Sequence, residues 1–165
     1  MSRPFASFAL ASLCAALSAC GQSSSPAPAP QAAAPSSAPA PAAAPEPNTA
    51  ALASLPAPYN TGDPDNGQAK FALCQACHSV VKGAPNMIGP NLYGIFGRKA
   101  GSLPGFTYSD AMKAKGDWTW DAQHIDTWIA GPAKVIPGTK MTFVGLPNPQ
   151  DRVDIIAYLR TVTGP

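Results

Sequence analysis

Helix-forming patterns of apolar and polar residues are confined to the part of the chain from residue 63 onward. Asp63 followed by Pro64 is a typical helix start, because aspartate caps free N–H groups and proline fits the first turn. This first helix is predicted to run to about Cys77. A second, short helix is predicted over residues 109–115, because Gly116 is a typical residue at a helix end.

Two later segments have clear apolar faces. Residues 121–129 place large apolar side chains on one face and precede Gly131 and Pro132, which stop a helix. A last helix is predicted to begin at Asn148 and Pro149, and its apolar face consists of Ile155, Tyr158, Leu159 and Val162. The chain has no strand pattern, so the predicted fold class is all-α.

Composition separates this part from a long proline-rich stretch before it. About half of the 20 prolines lie between residues 26 and 58, in a segment with one charged residue, Glu46, and no apolar periodicity. Such a segment cannot bury enough apolar surface to offset the entropy of ordering it. We therefore expect a flexible Pro/Ala-rich linker over 20–62 and a folded domain over 63–165.

The first residues have the pattern of an export signal. Arg3 supplies a positive charge, and residues 5–17 form an apolar stretch that is too short to span a bilayer comfortably. Residues 17–20, Leu-Ser-Ala-Cys, resemble the bacterial lipobox. That resemblance implies a lipoprotein signal peptide over 1–19 and acyl chains on Cys20, which would anchor the linker to a membrane. Cleavage by an ordinary signal peptidase and an uncleaved anchor are the alternatives.

The cysteines left for the folded domain lie in one motif. Cys74, Cys77 and His78 fit C-x-x-C-H, which is typical of covalent haem attachment. Cysteines at this spacing near a helix end lie on one face and reach both vinyl groups of a haem. The next residue, the histidine, turns its imidazole under the haem ring. A zinc site would need a fourth ligand, and a thioredoxin-like redox pair would accompany a βαβ pattern. We therefore expect one covalently bound haem c, which also supplies the core that so short a domain needs.

The sixth position on the iron decides between an electron carrier and a reactive haem site. Met141 is favoured, because it follows a Pro-Gly-Thr-Lys stretch that should turn and then extend across the ring. Two of the other candidates fall in short helical patterns, where core packing or a solvated face is more common. The full set of candidates is Met87, Met112, His124 and Met141.

Several further motifs follow one another in a fixed order between residues 67 and 163. They are Gly67-x-x-x-Phe71, Gly89-Pro90-Asn91-Leu92, Gly94-x-Phe96-Gly97-Arg98, Pro104-Gly105-Phe106-Thr107-Tyr108, Trp120, Pro137-Gly138-Thr139-Lys140-Met141 and Ile155-Ile156-Ala157-Tyr158-Leu159. Together with the haem motif they resemble the class I cytochromes c, close to the mitochondrial and related bacterial carriers. The resemblance implies the class I cytochrome c fold, in which crossed N- and C-terminal helices pack around a covalently attached haem.

The resemblance also implies the roles of individual residues. It implies thioethers at Cys74 and Cys77, and His78 and Met141 as axial ligands of the iron. The carbonyl of Pro90 should accept a hydrogen bond from the imidazole. The remaining haem-environment residues implied are Arg98, Tyr108 and Trp120 at the inner propionate, Thr139 near the methionine sulfur and outer propionate, and Phe143 beside the exposed haem edge.

Two positions depart from the family pattern. Trp128 stands where the mitochondrial proteins have a tyrosine whose hydroxyl reaches the methionine sulfur, and Met112 replaces an asparagine of the buried polar network. Loss of polar groups near the iron favours the reduced state, whereas loss of the donor to sulfur acts in the opposite direction. The sequence therefore leaves the net change in reduction potential open.

The function implied is one-electron transfer by a membrane-tethered carrier, not enzyme catalysis. By family analogy, the donor would be a quinol–cytochrome c reductase of the bc1 kind, and the acceptor a terminal oxidase or photosynthetic reaction centre. A haem peroxidase or gas sensor is the alternative. The net charge of +2 is modest, and Leu73 and Ala133 stand where relatives carry lysines, so little electrostatic steering is expected. We expect a monomer on the periplasmic side of a bacterial membrane, with no nucleic-acid binding.

Overall fold

The structure is a computed structural model, and it describes residues 48–164. The signal peptide predicted over 1–19, the lipidation predicted at Cys20 and the linker up to residue 47 lie outside the described residues. Within 48–164 the regular structure is helical, with a single isolated antiparallel bridge between Lys99 and Thr119. In this part of the chain, no helix combines the length and apolarity that crossing a membrane requires.

Two short 3-10 helices come before five α-helices in the described part of the chain. The bounds are Thr49–Ser54 and Tyr59–Thr61 for the 3-10 helices, then α1 Pro64–Gln75, α2 Asp110–Lys113, α3 Ala122–Ala130, α4 Pro132–Val135 and α5 Pro149–Val162. The predicted all-α class is confirmed. The short α4 was not predicted, because a helix stop was expected at Gly131 and Pro132 and the chain instead resumes helical geometry there.

The predicted helices begin where their capping residues stand. The side chains of Asp63, Ser109, Asp121 and Asn148 each accept a hydrogen bond from a backbone N–H of the first turn. The first helix ends at Gln75, slightly before the predicted end at Cys77. Local hydrogen bonding therefore accounts for the starts of α1, α2, α3 and α5.

The first and last α-helices cross in close contact at Gly67. A Cβ atom at this position would lie 2.0 Å from the carbonyl oxygen of Asp154 and 2.8 Å from the Cβ of Tyr158. One turn along α1, the ring of Phe71 packs 5.4 Å from the ring of Tyr158, centroid to centroid. Glycine is required at position 67 because the two backbones leave no space for a side chain.

A buried carboxylate fixes the start of α1 against α5. Asp154 is 2% exposed and accepts hydrogen bonds from the Asp63 N–H at 2.9 Å, the Asn66 amide at 2.6 Å and the Gln150 amide at 2.8 Å. Burial acts to raise the pKa of Asp154, but these donors outweigh it and hold the pKa below its usual value. The carboxylate is therefore satisfied, and it orients α1 for the crossing.

The flexible linker expected over 20–62 is wrong for its last part, residues 48–62. Both 3-10 helices contact α5, and the side chains of Leu55 and Tyr59 are each only 7% exposed. At the first described residue, the Asn48 N–H donates to the Thr161 carbonyl at 3.3 Å. Averaging composition over the proline-rich stretch concealed these few large apolar residues. We call residues 48–62 the docked segment.

Tyr59 joins the docked segment to α3 and α5. Its hydroxyl donates to Oδ2 of Asp126 at 3.1 Å, and Nε of Arg152 donates to the other oxygen of the same carboxylate. Burial, followed by the charge of Asp126, raises the pKa of Tyr59 to about 12. The neutral phenol is therefore the form that the folded protein stabilises.

Replacing Gly67 with alanine should destabilise the haem-loaded protein by about 1–3 kcal/mol, because the new methyl group would overlap the backbone of α5. The measurement is the free energy of unfolding from a denaturant titration. Gly116→Ala is the matched control, since a Cβ at that position would lie 3.4 Å from its nearest neighbour, the Lys113 carbonyl oxygen. Equal losses for the two variants would contradict the close crossing.

Replacing Tyr59 with phenylalanine should lower the free energy of unfolding by about 1 kcal/mol near neutral pH, which is the usual net value of one hydrogen bond. The folded protein keeps this phenol neutral to a pKa of about 12, whereas an unperturbed tyrosine ionises at 10.0. The stabilisation is therefore complete below pH 10 and is lost as the pH rises towards 12. Unfolding free energies of both proteins, measured across that range, should converge; a constant difference between them would refute the assignment.

Candidate functional site

A cavity of about 360 Å³ lies beside the α1–α5 crossing. Its lining is mainly apolar and comes from the end of α1, the loops between α1 and α3, α3 itself, residues 139–143 and α5. A volume of this size is in the range of small-molecule and cofactor sites. Most of the residues singled out from the sequence line it, namely Cys74, Cys77, His78, Pro90, Tyr108, Trp120, Trp128, Thr139, Met141 and Phe143.

The last turn of α1, with Cys74, and the turn after it, with Cys77, bring both cysteines to this cavity. The N–H groups of Cys77 and His78 each donate to the Cys74 carbonyl at 3.0 Å, so the chain turns tightly where α1 ends. Both thiols are free, and burial, followed by the neighbouring Cys77, raises the pKa of Cys74 to about 11. Two free thiols therefore stand at the wall of an apolar cavity.

His78 is held in one orientation by its neighbours. Its Nδ1 lies 2.7 Å from the Pro90 carbonyl oxygen, as the resemblance implied, and this leaves Nε2 free for a metal. Burial lowers the pKa of His78, which favours the neutral ring that a metal needs. A Cβ at Gly89 would lie 2.3 Å from Cε1 of the imidazole. The ring therefore packs directly on the Gly89 backbone.

The structure distinguishes among the four candidates for the second axial ligand. Met112 and Met141 line the cavity, whereas Met87 and His124 do not. Met87 is 48% exposed, and Nδ1 of His124 lies 3.0 Å from the Asp121 carboxylate. Met141 lies in an irregular loop and its N–H donates to Oγ1 of Thr139 at 3.2 Å, whereas Met112 belongs to α2. Of the four candidates, only these two methionines are therefore available in the cavity as the second axial ligand.

Arg98 is the one predicted haem-environment residue that does not line the cavity. Its guanidinium donates to the carbonyl of Asn91 at 2.9 Å and to the carbonyl of Tyr93. Burial lowers the pKa of Arg98, and nearby Tyr108 acts in the opposite direction. Because these bonds join the chain around residues 91–98, Arg98 supports the loop that carries part of the cavity wall.

Sequence reasoning did not single out Ile88, which lies at the mouth of the cavity. It is 81% exposed and lines the cavity together with Leu73, which is 59% exposed. Lys140 is the one Lys, Arg, Asp or Glu residue among the cavity-lining residues, and its Nζ donates to the Thr107 carbonyl at 3.0 Å. The adjacent apolar pair Met87 and Ile88, in a loop between Pro85 and Pro90, was the signal available in the sequence.

The residues present fit a covalently attached haem. Two free thiols, a neutral oriented imidazole and a thioether surround an apolar space, which is the donor set that c-type haem uses. Among residues 48–164, no three His, Cys, Asp or Glu side chains are grouped as a metal ion would require. The described residues therefore provide no support for the zinc alternative.

Comparisons with known proteins point to the same cofactor. A family model described as Cytochrome c matches residues 64–163. Cytochrome c2 of Rhodomicrobium vannielii is 50% identical over 115 residues, which cover 70% of this chain and 91% of the relative. Cytochrome c2 of Rhodoblastus acidophilus is 54% identical over 98 residues, covering 59% and 91%. The solved structure of cytochrome cH from Methylobacterium extorquens has a TM-score of 0.56 and 46% identity, covering 61% of this chain and 99% of that one.

Replacing Gly89 with alanine should displace the imidazole of His78, because the added methyl group overlaps the ring. The expected cost is about 1–3 kcal/mol of unfolding free energy, together with a weakened bond between His78 and the iron. Visible absorption of the purified protein should show a larger high-spin fraction than the wild type. Gly116→Ala is again the control, since that backbone is not in the left-handed region and a Cβ there would lie 3.4 Å from its nearest neighbour, the Lys113 carbonyl oxygen. An unchanged spectrum in Gly89→Ala would contradict the packing described.

Proposed function

Because this chain belongs to the cytochrome c family, we propose that it is a membrane-tethered one-electron carrier with a His/Met-ligated haem c. Members of this family bind a covalent haem c and act as electron carriers, not as enzymes. Both statements hold for this chain, in which Cys74 and Cys77 occupy the attachment motif. The proposal adds the axial ligands, the tether and the partners.

The observation that carries the proposal is that His78 and Met141 line one cavity together with both attachment cysteines. The bound haem would supply an iron centre that takes up and releases a single electron. Nε2 of His78 and the thioether sulfur of Met141 would hold that iron. With both ligands retained, no coordination site is open for a substrate, and the protein's task is to keep the site fixed and dry.

The surrounding residues act on this site in two ways. The Pro90 carbonyl and the Gly89 backbone fix the imidazole, which limits the reorganisation that accompanies each electron transfer. Tyr108, Trp120 and Thr139 line the cavity and are proposed to contact the haem propionates. Arg98, bonded to the loop backbone, would act on those propionates through its charge.

The departures from the family pattern lie at the cavity wall. Trp128 and Met112 both line the cavity, and they are 8% and 6% exposed. The indole of Trp128 cannot donate to the methionine sulfur as the hydroxyl of a tyrosine would. Met112 adds no polar group near the iron, unlike the asparagine that it replaces. We propose that these two substitutions act on the reduction potential in opposite directions.

Electron partners are proposed to meet the protein at the mouth of the cavity. Exposed Leu73 and Ile88 lie there, and exposed apolar side chains that cluster at one place mark interaction sites. The donor would be a quinol-oxidising complex of the bc1 kind, and the acceptor a terminal oxidase or reaction centre, by analogy with the cytochromes c2. Few charges at this mouth mean weak electrostatic steering of the encounter.

A tether would compensate for that weak steering. We propose that the signal over 1–19 is removed, that Cys20 is acylated and that residues 20–47 act as the spacer on the periplasmic side. Two or three acyl chains hold a protein on a membrane durably, because each buried methylene contributes about 0.8 kcal/mol. Confinement near one membrane raises the effective concentration of the carrier at its partners. The docked segment would set where the spacer meets the folded domain, at Asn48 on the Thr161 carbonyl.

The axial assignment is tested by comparing two cavity methionines. The purified ferric protein should show the long-wavelength absorption band of an iron–thioether bond at neutral pH. Met141→Leu should lose this band, and Met112→Leu, the matched control from the same cavity, should keep it. The assignment fails if the wild type lacks the band, or if Met112→Leu loses it while Met141→Leu does not.

The tether is tested by cell fractionation of two cysteine variants. Cys20→Ser should move the protein from the membrane to the soluble fraction, because the acylated thiol is lost. Cys14→Ser, which changes a cysteine inside the predicted signal peptide, should leave it on the membrane. Mass spectrometry of the wild-type N-terminus should detect acyl chains on Cys20. Membrane association that is unchanged in Cys20→Ser would rule out lipid anchoring through this residue.

A further inference from the structure

The three tryptophans of the chain form one continuous contact series. Trp128 packs against Trp120 with ring centroids 5.7 Å apart, and Trp120 packs against Trp118 at 5.9 Å. Both contacts are edge-on, with interplanar angles of 62° and 83°. Trp118 and Trp120 lie in the stretch before α3, and Trp128 lies in α3 itself. Tertiary packing therefore brings the Trp128 ring to the other two.

The series runs from the haem cavity to the protein surface. Trp120 and Trp128 line the cavity and are 7% and 8% exposed. Trp118 does not line the cavity and is half-buried. Indole is among the side chains that lose one electron most readily, and ring contact allows an electron to pass between neighbouring indoles. The arrangement therefore connects the redox centre to solvent through oxidisable groups.

We propose that Trp128, Trp120 and Trp118 form a relay that carries an oxidising equivalent from the haem cavity to the surface when the reduced protein meets hydrogen peroxide. The proposal rests on the haem of the proposed function, but not on its electron partners or its tether. It concerns the reaction of peroxide with molecules in which the axial methionine has left the iron, because the retained ligand would close that position. Its effect is protective, because the oxidising equivalent leaves the haem and ends at a replaceable surface site.

The electrons and atoms of this reaction balance. Hydrogen peroxide takes two electrons and two protons, its O–O bond breaks, and two water molecules form. A bound ferrous haem would supply one of the two electrons, and an inner indole supplies the other. An electron from Trp118 then refills the inner indole, which leaves Trp118 oxidised. A small one-electron reductant of the ascorbate class restores Trp118.

The surroundings of Trp118 suit the outer end of such a relay. Nζ of Lys115 lies 5.8 Å from the ring centroid, and this positive charge opposes a cation on the same ring. The oxidised indole is therefore expected to release its N–H proton to solvent and to persist as a neutral radical. The His124 ring packs on the indole with centroids 4.6 Å apart and covers part of it. Trp118 regains the proton when the reductant returns its electron.

Packing alone would also explain three adjacent indoles, so the test separates packing from electron transfer. Trp118→Phe and Trp118→Tyr introduce rings that differ from each other only by a hydroxyl group. Of the two, only the tyrosine phenol can be oxidised in place of the indole. Tyr93→Phe is a matched control elsewhere: Tyr93 is half-buried, Nζ of Lys82 lies 5.9 Å from its ring, and it does not line the cavity.

The experiment treats each ferrous haem-loaded protein with one equivalent of hydrogen peroxide in the presence of a nitroso spin trap. Peptide mass spectrometry then locates the trapped radical, and loss of the haem absorption band measures damage. Spectra recorded before peroxide is added establish that every variant carries haem. A missing haem spectrum at that stage counts against the proposed function, whereas the position of the adduct tests the relay.

In the wild type and in Tyr93→Phe, the adduct is expected on Trp118. In Trp118→Phe this adduct should be lost, the trap should react at Trp120 or Trp128, and haem loss should be faster. In Trp118→Tyr the adduct should return to position 118, with haem loss restored to the wild-type rate. The proposal is overturned if the wild-type adduct lies on other residues, or if the phenylalanine and tyrosine variants behave alike.

Discussion

The close crossing of α1 and α5 at Gly67 is the constraint on which the rest of the molecule depends. It requires a position without a side chain, since even a Cβ would lie 2.0 Å from the backbone of α5. The crossing places the end of α1, with its two cysteines and His78, beside Ile155 and Leu159 of α5, which line the same cavity. The attachment motif would otherwise be a turn with no apolar space next to it.

Backbone contact also organises the imidazole. The ring of His78 contacts the Pro90 carbonyl, which accepts its Nδ1 hydrogen bond, and Gly89, where a Cβ would overlap the ring. Main-chain atoms move less than side chains do, so the nitrogen that would bind iron has a fixed position. For an electron carrier, this rigidity matters more than any proton-transferring group, and the cavity lining is accordingly almost free of charge.

The docked segment extends the same α-helical core beyond the part that the family model matches, residues 64–163. It covers α5 with Leu55 and Tyr59 and connects through Asp126 and Arg152 to α3 and the start of α5. The proposed tether would then meet the domain at one place on its surface. The fold, and not the spacer alone, would limit the direction in which the cavity mouth faces a membrane partner.

Sequence by itself determined the features that depend on residues close together in the chain. The capping side chains of Asp63 and Asn148, and the spacing of Cys74, Cys77 and His78, act over a few positions, so a local pattern is enough to identify them. Tertiary structure alone decided which distant residues meet. It docked residues 48–62 on α5, bonded Arg98 to the loop backbone and joined the three indoles across α3. These contacts depend on the packing of segments far apart in sequence, because burial is set by the whole fold and not by the neighbours of a residue along the chain.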